Sequence, residues 1–303
     1  MLMNRLSVCL FTLGFIVPLS VVSADEPTLE KGDLVVWIGN TLIEREQEYG
    51  DWELELTRRL PGQDIRFRNL GWSGDTVWAE SRGIFDPPKV GYQRLVELVK
   101  ELKPDVIVFG YGGVESEGGI DALPAFIEQY EKLVSDVSNP EIECLHLLPI
   151  PLEESSFPVQ TSESKSFIQQ ANQNIQLYAD AIQKFGESRG EAVIDLTDAL
   201  NHRPENQQWR DNGLHLNATG YRETASAFVD AFGLEEQDPV GDTDELRALI
   251  RRKNELFFHR WRPQNITYLT GFRKHEQGQN AVEIAQFDPL IVEVETQIFA
   301  IID

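Results

Sequence analysis

Cysteine is almost missing from this chain of 303 residues, which has only Cys9 and Cys144. Cys9 falls in a segment expected to be removed, so Cys144 alone remains and no internal disulfide can form. The core must hold by burial, and a chain of this length with 41% hydrophobic residues can bury one sizeable domain plus an appendage. Histidine is also scarce: five are scattered along the sequence without ligand spacing, so neither a metal nor a cofactor is expected. Positive charge is in deficit. With 27 Lys and Arg against 50 Asp and Glu, the formal net charge is −23. Such a surface repels nucleic-acid phosphates and anionic lipid headgroups, which excludes nucleic acid as a partner and favours a neutral or cationic one.

The long apolar run is at the amino terminus. Arg5 precedes the stretch from Leu6 to Val22, and Val22-Ser23-Ala24 fits the small-residue rule for signal-peptide cleavage. Residues 1–24 therefore read as a signal peptide, with the mature chain starting at Asp25 and located outside the cytoplasm, secreted or periplasmic. The competing reading is a retained anchor, but Pro18 interrupts the run and its length is at the short end for a bilayer. Val8 before Cys9 does not suit lipoprotein processing. No stable membrane insertion is expected.

After this segment, short β-branched runs alternate with amphipathic stretches. Strands are expected at 34–38, 65–70, 106–109, 142–148 and 192–195, and helices at 44–60, 91–102, 120–137, 166–189 and 219–232. Strict alternation implies right-handed crossovers and a parallel sheet covered on both faces, an α/β protein of the three-layer, flavodoxin-like kind. One domain spans residues 25–235. An acidic linker from Leu234 to Asp242 then leads into a helical extension, 236–303, expected to pack on the main domain.

In parallel sheets, function collects in loops at the carboxyl ends of strands. The loop after the first strand is Gly39-Asn40-Thr41-Leu42, which places a hydroxyl at a helix amino terminus, where a nucleophile and oxyanion donors can sit and where a helix cap sits equally well. After the second strand comes Gly71-Trp72-Ser73-Gly74-Asp75-Thr76, and after the third Gly110-Tyr111-Gly112-Gly113-Val114-Glu115. Late in the chain, Asp211-Asn212-Gly213-Leu214-His215 puts an acid and an amide just ahead of a histidine, spacing that lets one of them orient an imidazole base.

Four such blocks in this order resemble the SGNH (GDSL-like) hydrolases, whose corresponding blocks read Gly-Asp-Ser-Leu, a Ser-Gly-Asp-Thr-like turn, Gly-x-Asn-Asp and Asp-x-x-His. The resemblance implies an SGNH fold and an esterase or acylhydrolase acting on acetylated polysaccharide or another small acyl ester. Thr41 stands at the serine position, Gly74 at that of the glycine oxyanion donor and His215 at that of the base. Gly113 lies in the third block. Val114 stands in place of the oxyanion asparagine, and Asn212 in place of the orienting aspartate, with Asp211 one residue away. Asn40, or Arg262 and Asn265 from the basic tail, are the expected replacements for the missing donor. Trp72, Trp78 and Tyr111 are candidates to stack on sugar. A carbohydrate-binding protein that kept the fold and lost the chemistry is the alternative. The acidic charge and lack of metal ligands disfavour a phosphoesterase or nuclease.

Overall fold

A computed structural model describes residues 27–236 and 242–303. The expected signal peptide, its cleavage site and the middle of the expected linker lie outside the described residues. The strands are β1 (Leu34–Gly39), β2 (Arg66–Asn69), β3 (Val106–Gly110), β4 (Glu143–Leu147) and β5 (Ala192–Ile194). The helices of the main domain are α1 (Thr41–Tyr49), α2 (Asp51–Arg59), α3 (Pro88–Leu102), α4 (Gly119–Val137), α5 (Ser162–Arg189), α6 (Thr197–Asn201) and α7 (Ala218–Asp230). The extension holds α8 (Thr243–Trp261), α9 (Ile266–Leu269), α10 (Lys274–Gln277) and α11 (Phe287–Ile302).

All five strands run parallel in the order β2-β1-β3-β4-β5. β1 is buried along its whole length, which is why its sequence is a continuous apolar run rather than an alternation. Leu34, Val36 and Ile38 face one core, with α3, α4 and α5. Val35 and Trp37 face the other, formed with Trp52 and Leu56 of α2 and Tyr221 and Phe228 of α7. The three-layer α/β/α arrangement follows directly.

One expected helix is in fact two. The stretch 44–60 breaks at Gly50, which sits at φ 71° and closes α1 by donating its N–H to the Glu46 carbonyl at 2.6 Å. Only glycine adopts that left-handed geometry without steric cost, so the helix ends there and restarts at Asp51.

The extension is tied to the main domain by charge as well as apolar contact. From α8, Lys253 is 1% exposed and its Nζ lies 2.7 Å from Glu53 Oε1 on α2, while Asn254 Nδ2 donates to the same carboxylate at 3.1 Å. α11 packs on α8, and its Glu295 pairs with Arg68 of β2 at 2.5 Å.

Candidate active site

The strand order reverses between β1 and β3, the point at which ligand crevices form in open α/β sheets. Gly39 and Gly110 are register partners at the ends of these strands, and Asn40 N–H donates to the Gly110 carbonyl at 3.1 Å. The two loops thus leave the sheet side by side. Between them, the β4–α5 connection and the histidine loop lies a cavity of about 200 Å³, lined by Asn40, Thr41, Gly113, Val114 and His215 among others.

Thr41 is the first residue of α1, but it does not cap the helix. Asn40 does, its Oδ1 accepting from the Leu42 N–H at 3.1 Å. The Thr41 hydroxyl instead accepts from the Gly74 N–H at 3.1 Å. Gly74 has φ 69°, and this left-handed turn is what aims its amide back at Thr41. With Oδ1 engaged in the cap, the Asn40 amide nitrogen faces Gly113, 3.6 Å from where a β-carbon would stand on that glycine. A side-chain donor therefore lies beside the place where Val114 offers none.

His215 is carried on a tight loop before α7. An isolated bridge pairs Arg210 with Leu216, and the Asp211 N–H donates to the His215 carbonyl at 3.0 Å. Gly213 is required by space, because a β-carbon there would meet the Phe157 ring at 2.1 Å. Burial, followed by the nearby Arg45 cation, holds the His215 imidazole below its ordinary value near 6.5, although Asp211 pulls the other way. The ring is thus biased to the neutral form a general base needs.

The expected orienting groups do not reach that ring. Among the described residues, the Asp211 carboxylate pairs with Arg45, which also donates to Tyr49 Oη at 2.8 Å. Asn212 Oδ1 accepts the backbone N–H groups of Leu214 and His215 at 3.2 and 3.3 Å, so it shapes the turn instead. Thr41 and His215 line one cavity, but no hydrogen bond joins their side chains.

Arg262 and Asn265 are not at the cavity. Arg262 donates to Glu44 Oε1 at 2.6 Å and lies 3.5 Å over the Trp72 ring, a buried-side pairing that satisfies its charge. Asn265 is exposed and donates to Gln277 at 3.2 Å. Of the aromatic residues expected to stack on sugar, Trp72 and Trp78 are committed elsewhere and Tyr111 borders the cavity while almost wholly buried. Trp72 sits beneath Arg262 and edge-on to Trp261, Tyr111 is 1% exposed, and Trp78 packs against the core.

Glu115 went unassigned in the sequence reading although it closes the third block. It is buried, and its two carboxylate oxygens accept the Val77 N–H at 2.9 Å and the Gly112 N–H at 2.8 Å, joining the second and third loops. Burial pushes its carboxyl up to about 7 against these bonds. No cluster of three or more His, Cys, Asp or Glu among the described residues is arranged to hold a metal ion.

A hydroxyl and an imidazole thus border one cavity at the switch point of a parallel sheet. The profile of the GDSL-like lipase/acylhydrolase family matches residues 36–223, and the chain belongs to that family. Solved structures that share the fold include a catalytic mutant of an acetylxylan esterase from Geobacillus stearothermophilus, at 18% identity and TM-score 0.52, covering 68% of this chain and 96% of that one. An alpha/beta hydrolase enzyme from the metagenome of Lake Arreo, Spain, matches at 20% identity and TM-score 0.52, covering 69% and 98%. A gut microbial diltiazem-metabolizing enzyme matches at 16% identity and TM-score 0.54, covering 73% and 51%. No curated protein matches the chain in sequence. No helix among the described residues is long and apolar enough to cross a membrane.

Proposed function

We propose that this protein is an exported carboxylic ester hydrolase in which Thr41 is the nucleophile and His215 the general base. The observation that carries this reading is that Thr41 and His215, distant in sequence, line one cavity while the Gly74 amide already reaches the Thr41 oxygen. In acylation the Thr41 oxygen bonds to the ester carbonyl carbon and its proton passes to the imidazole. The carbonyl oxygen takes up the negative charge, with the Gly74 N–H, the Gly113 loop and the Asn40 amide as the nearest donors. Collapse of that intermediate expels the alcohol, which takes the proton from His215. Water then attacks the acyl-threonine by the same route, releasing the acid and restoring the hydroxyl.

One observation favours a second reading, a protein whose catalysis has lapsed. Arg45 holds the carboxylate that would orient His215, and in serine proteases an amide in place of that carboxylate lowers turnover by about 10⁴. Turnover of para-nitrophenyl esters by the parent, Thr41→Ala, Thr41→Ser and His215→Ala separates the two. Thr41→Ala and His215→Ala should each lower kcat on the order of 10³ or more, and their combination little further, because nucleophile and base act as a unit. Thr41→Ser should equal or exceed the parent, since it removes the crowding methyl. A parent without turnover and a Thr41→Ser variant that gains it would establish the lapsed reading. Turnover that survives Thr41→Ala would sink the assignment.

A further inference from the structure

The cavity beside Thr41 has two unlike ends. At one lie Asn40, Thr41 and His215. Apart from Tyr111, Ser116, Glu117 and Tyr221, the rest of its wall is mostly hydrocarbon, supplied by Leu148, Pro149, Ile150, Leu152 and Phe157 of the β4–α5 connection. A third side comes from α5, where Phe167, Ala171 and Ile175 recur every four residues and so form one stripe along the helix.

Two of the hydroxyls that border this wall are already spent on the protein. Ser116 Oγ donates to the Gly113 carbonyl and Tyr221 Oη to the Leu42 carbonyl, each at 2.7 Å. A sugar ring placed here would lose water from its hydroxyls and find few partners in return. A hydrocarbon chain loses nothing. Part of the wall is also left open to water: Phe167 is 64% exposed and Leu214 42%, and both border the cavity. An acetyl group extends one methyl beyond its carbonyl and would leave most of this surface uncovered.

The geometry points to an acyl-selectivity pocket: the protein takes esters of apolar acyl chains, of about four to eight carbons, in preference to acetates. The carbonyl lies at Thr41 and the chain runs between the β4–α5 connection and α5. This inference rests on the hydrolase reading for its chemistry, but the pocket itself can be tested without turnover.

The probe is a series of neutral, non-hydrolysed ester mimics, acetamide, butanamide, hexanamide and octanamide, titrated calorimetrically into the parent protein. Affinity should climb by up to about fourfold per added methylene until the pocket is filled. Ala171→Trp, which places a large ring in the middle of the α5 stripe, should flatten that climb, with thermal unfolding used to verify that the variant is folded. Phe167→Ser, an exposed position that tolerates change, should lower octanamide affinity by about threefold or more while acetamide shifts less. A flat series in the parent, or a climb that both variants leave intact, overturns the pocket. In parallel, para-nitrophenyl acetate, butyrate, hexanoate and octanoate report on chemistry. A climbing amide series with no ester turnover leaves the pocket standing and removes the hydrolase reading. A flat amide series with acetate turned over fastest does the reverse.

Discussion

The seam between the extension and the main domain, and the rim where Thr41 and His215 lie, use the same side-chain types in opposite ways. At the seam three ion pairs join the two parts: Lys253 with Glu53, Arg68 with Glu295, Arg247 with Asp51. At the rim the exposed Asp211 carboxylate is paired with Arg45, and the His215 imidazole is left without a hydrogen-bonded partner among the described residues. Pairing fixes position. An unpaired imidazole in a partly desolvated pocket is free to exchange a proton, and that freedom is what a base requires.

The seam offers the largest expected effect on stability. Lys253→Met strands the Glu53 carboxylate in the interior, and removing one partner of a buried pair costs about 3–5 kcal/mol. Chemical denaturation should show that loss. The double variant Lys253→Met with Glu53→Gln should recover much of it, since no uncompensated charge remains. If the single and double variants are equally unstable, packing rather than charge holds the seam.

A smaller effect belongs to Glu115, which bridges two site loops. In Glu115→Gln one carboxylate oxygen becomes an NH2 group facing a backbone N–H, and a buried donor left unsatisfied costs about 1–3 kcal/mol. The wild-type carboxyl also carries a pH signature. Its native pKa of about 7 lies above the ordinary 4.5, so the native state binds the proton that the unfolded chain has released. Stability from this group therefore falls as pH rises from about 4.5 to about 7, and Glu115→Gln should remove that slope from the denaturation profile.

The smallest expected change lies at His215, and it is a shift in pH. The native imidazole titrates below its ordinary value near 6.5, so as pH falls past that value the unfolded chain takes up a proton that the native site resists. Stability declines on that side, while the base stays neutral to lower pH than a free histidine. Arg45→Gln removes a neighbouring cation and releases Asp211. Both changes raise the His215 pKa, which should appear as an upward displacement of the ring titration by NMR and of the acid limb of any rate profile. A downward displacement would show that Arg45 acts on His215 through packing instead.

Much of the fold was legible because the parallel sheet writes itself as apolar runs at 34–38 and 106–109. The break at Gly50 was less so, since a glycine inside a helical pattern is tolerated as often as it terminates one. α11 was missed as a separate helix, although Ile291, Val294, Ile298 and Ile302 recur at helical spacing and are all buried. At the candidate site, the loops carrying Thr41, Gly74 and His215 could be found from their glycines. The capture of Asp211 by Arg45 could not, because it depends on the fold bringing one turn of α1 against the histidine loop. Arg262 and Asn265 were expected at the site because arginine and asparagine side chains donate well to oxyanions. Their true neighbours, Glu44 and Gln277, were decided by where α8 ends.

The Lys253–Glu53 pair also bears on the order of folding. A ribosome delivers the chain amino end first, so the whole sheet and α2 are available before α8 emerges. Until it does, Glu53 has no cation to accompany it into the interior. The main domain then faces a choice between keeping α2 loose and burying a bare carboxylate, and the second is far costlier. Completion of this part of the core is thereby tied to the arrival of α8, the element that carries the cation.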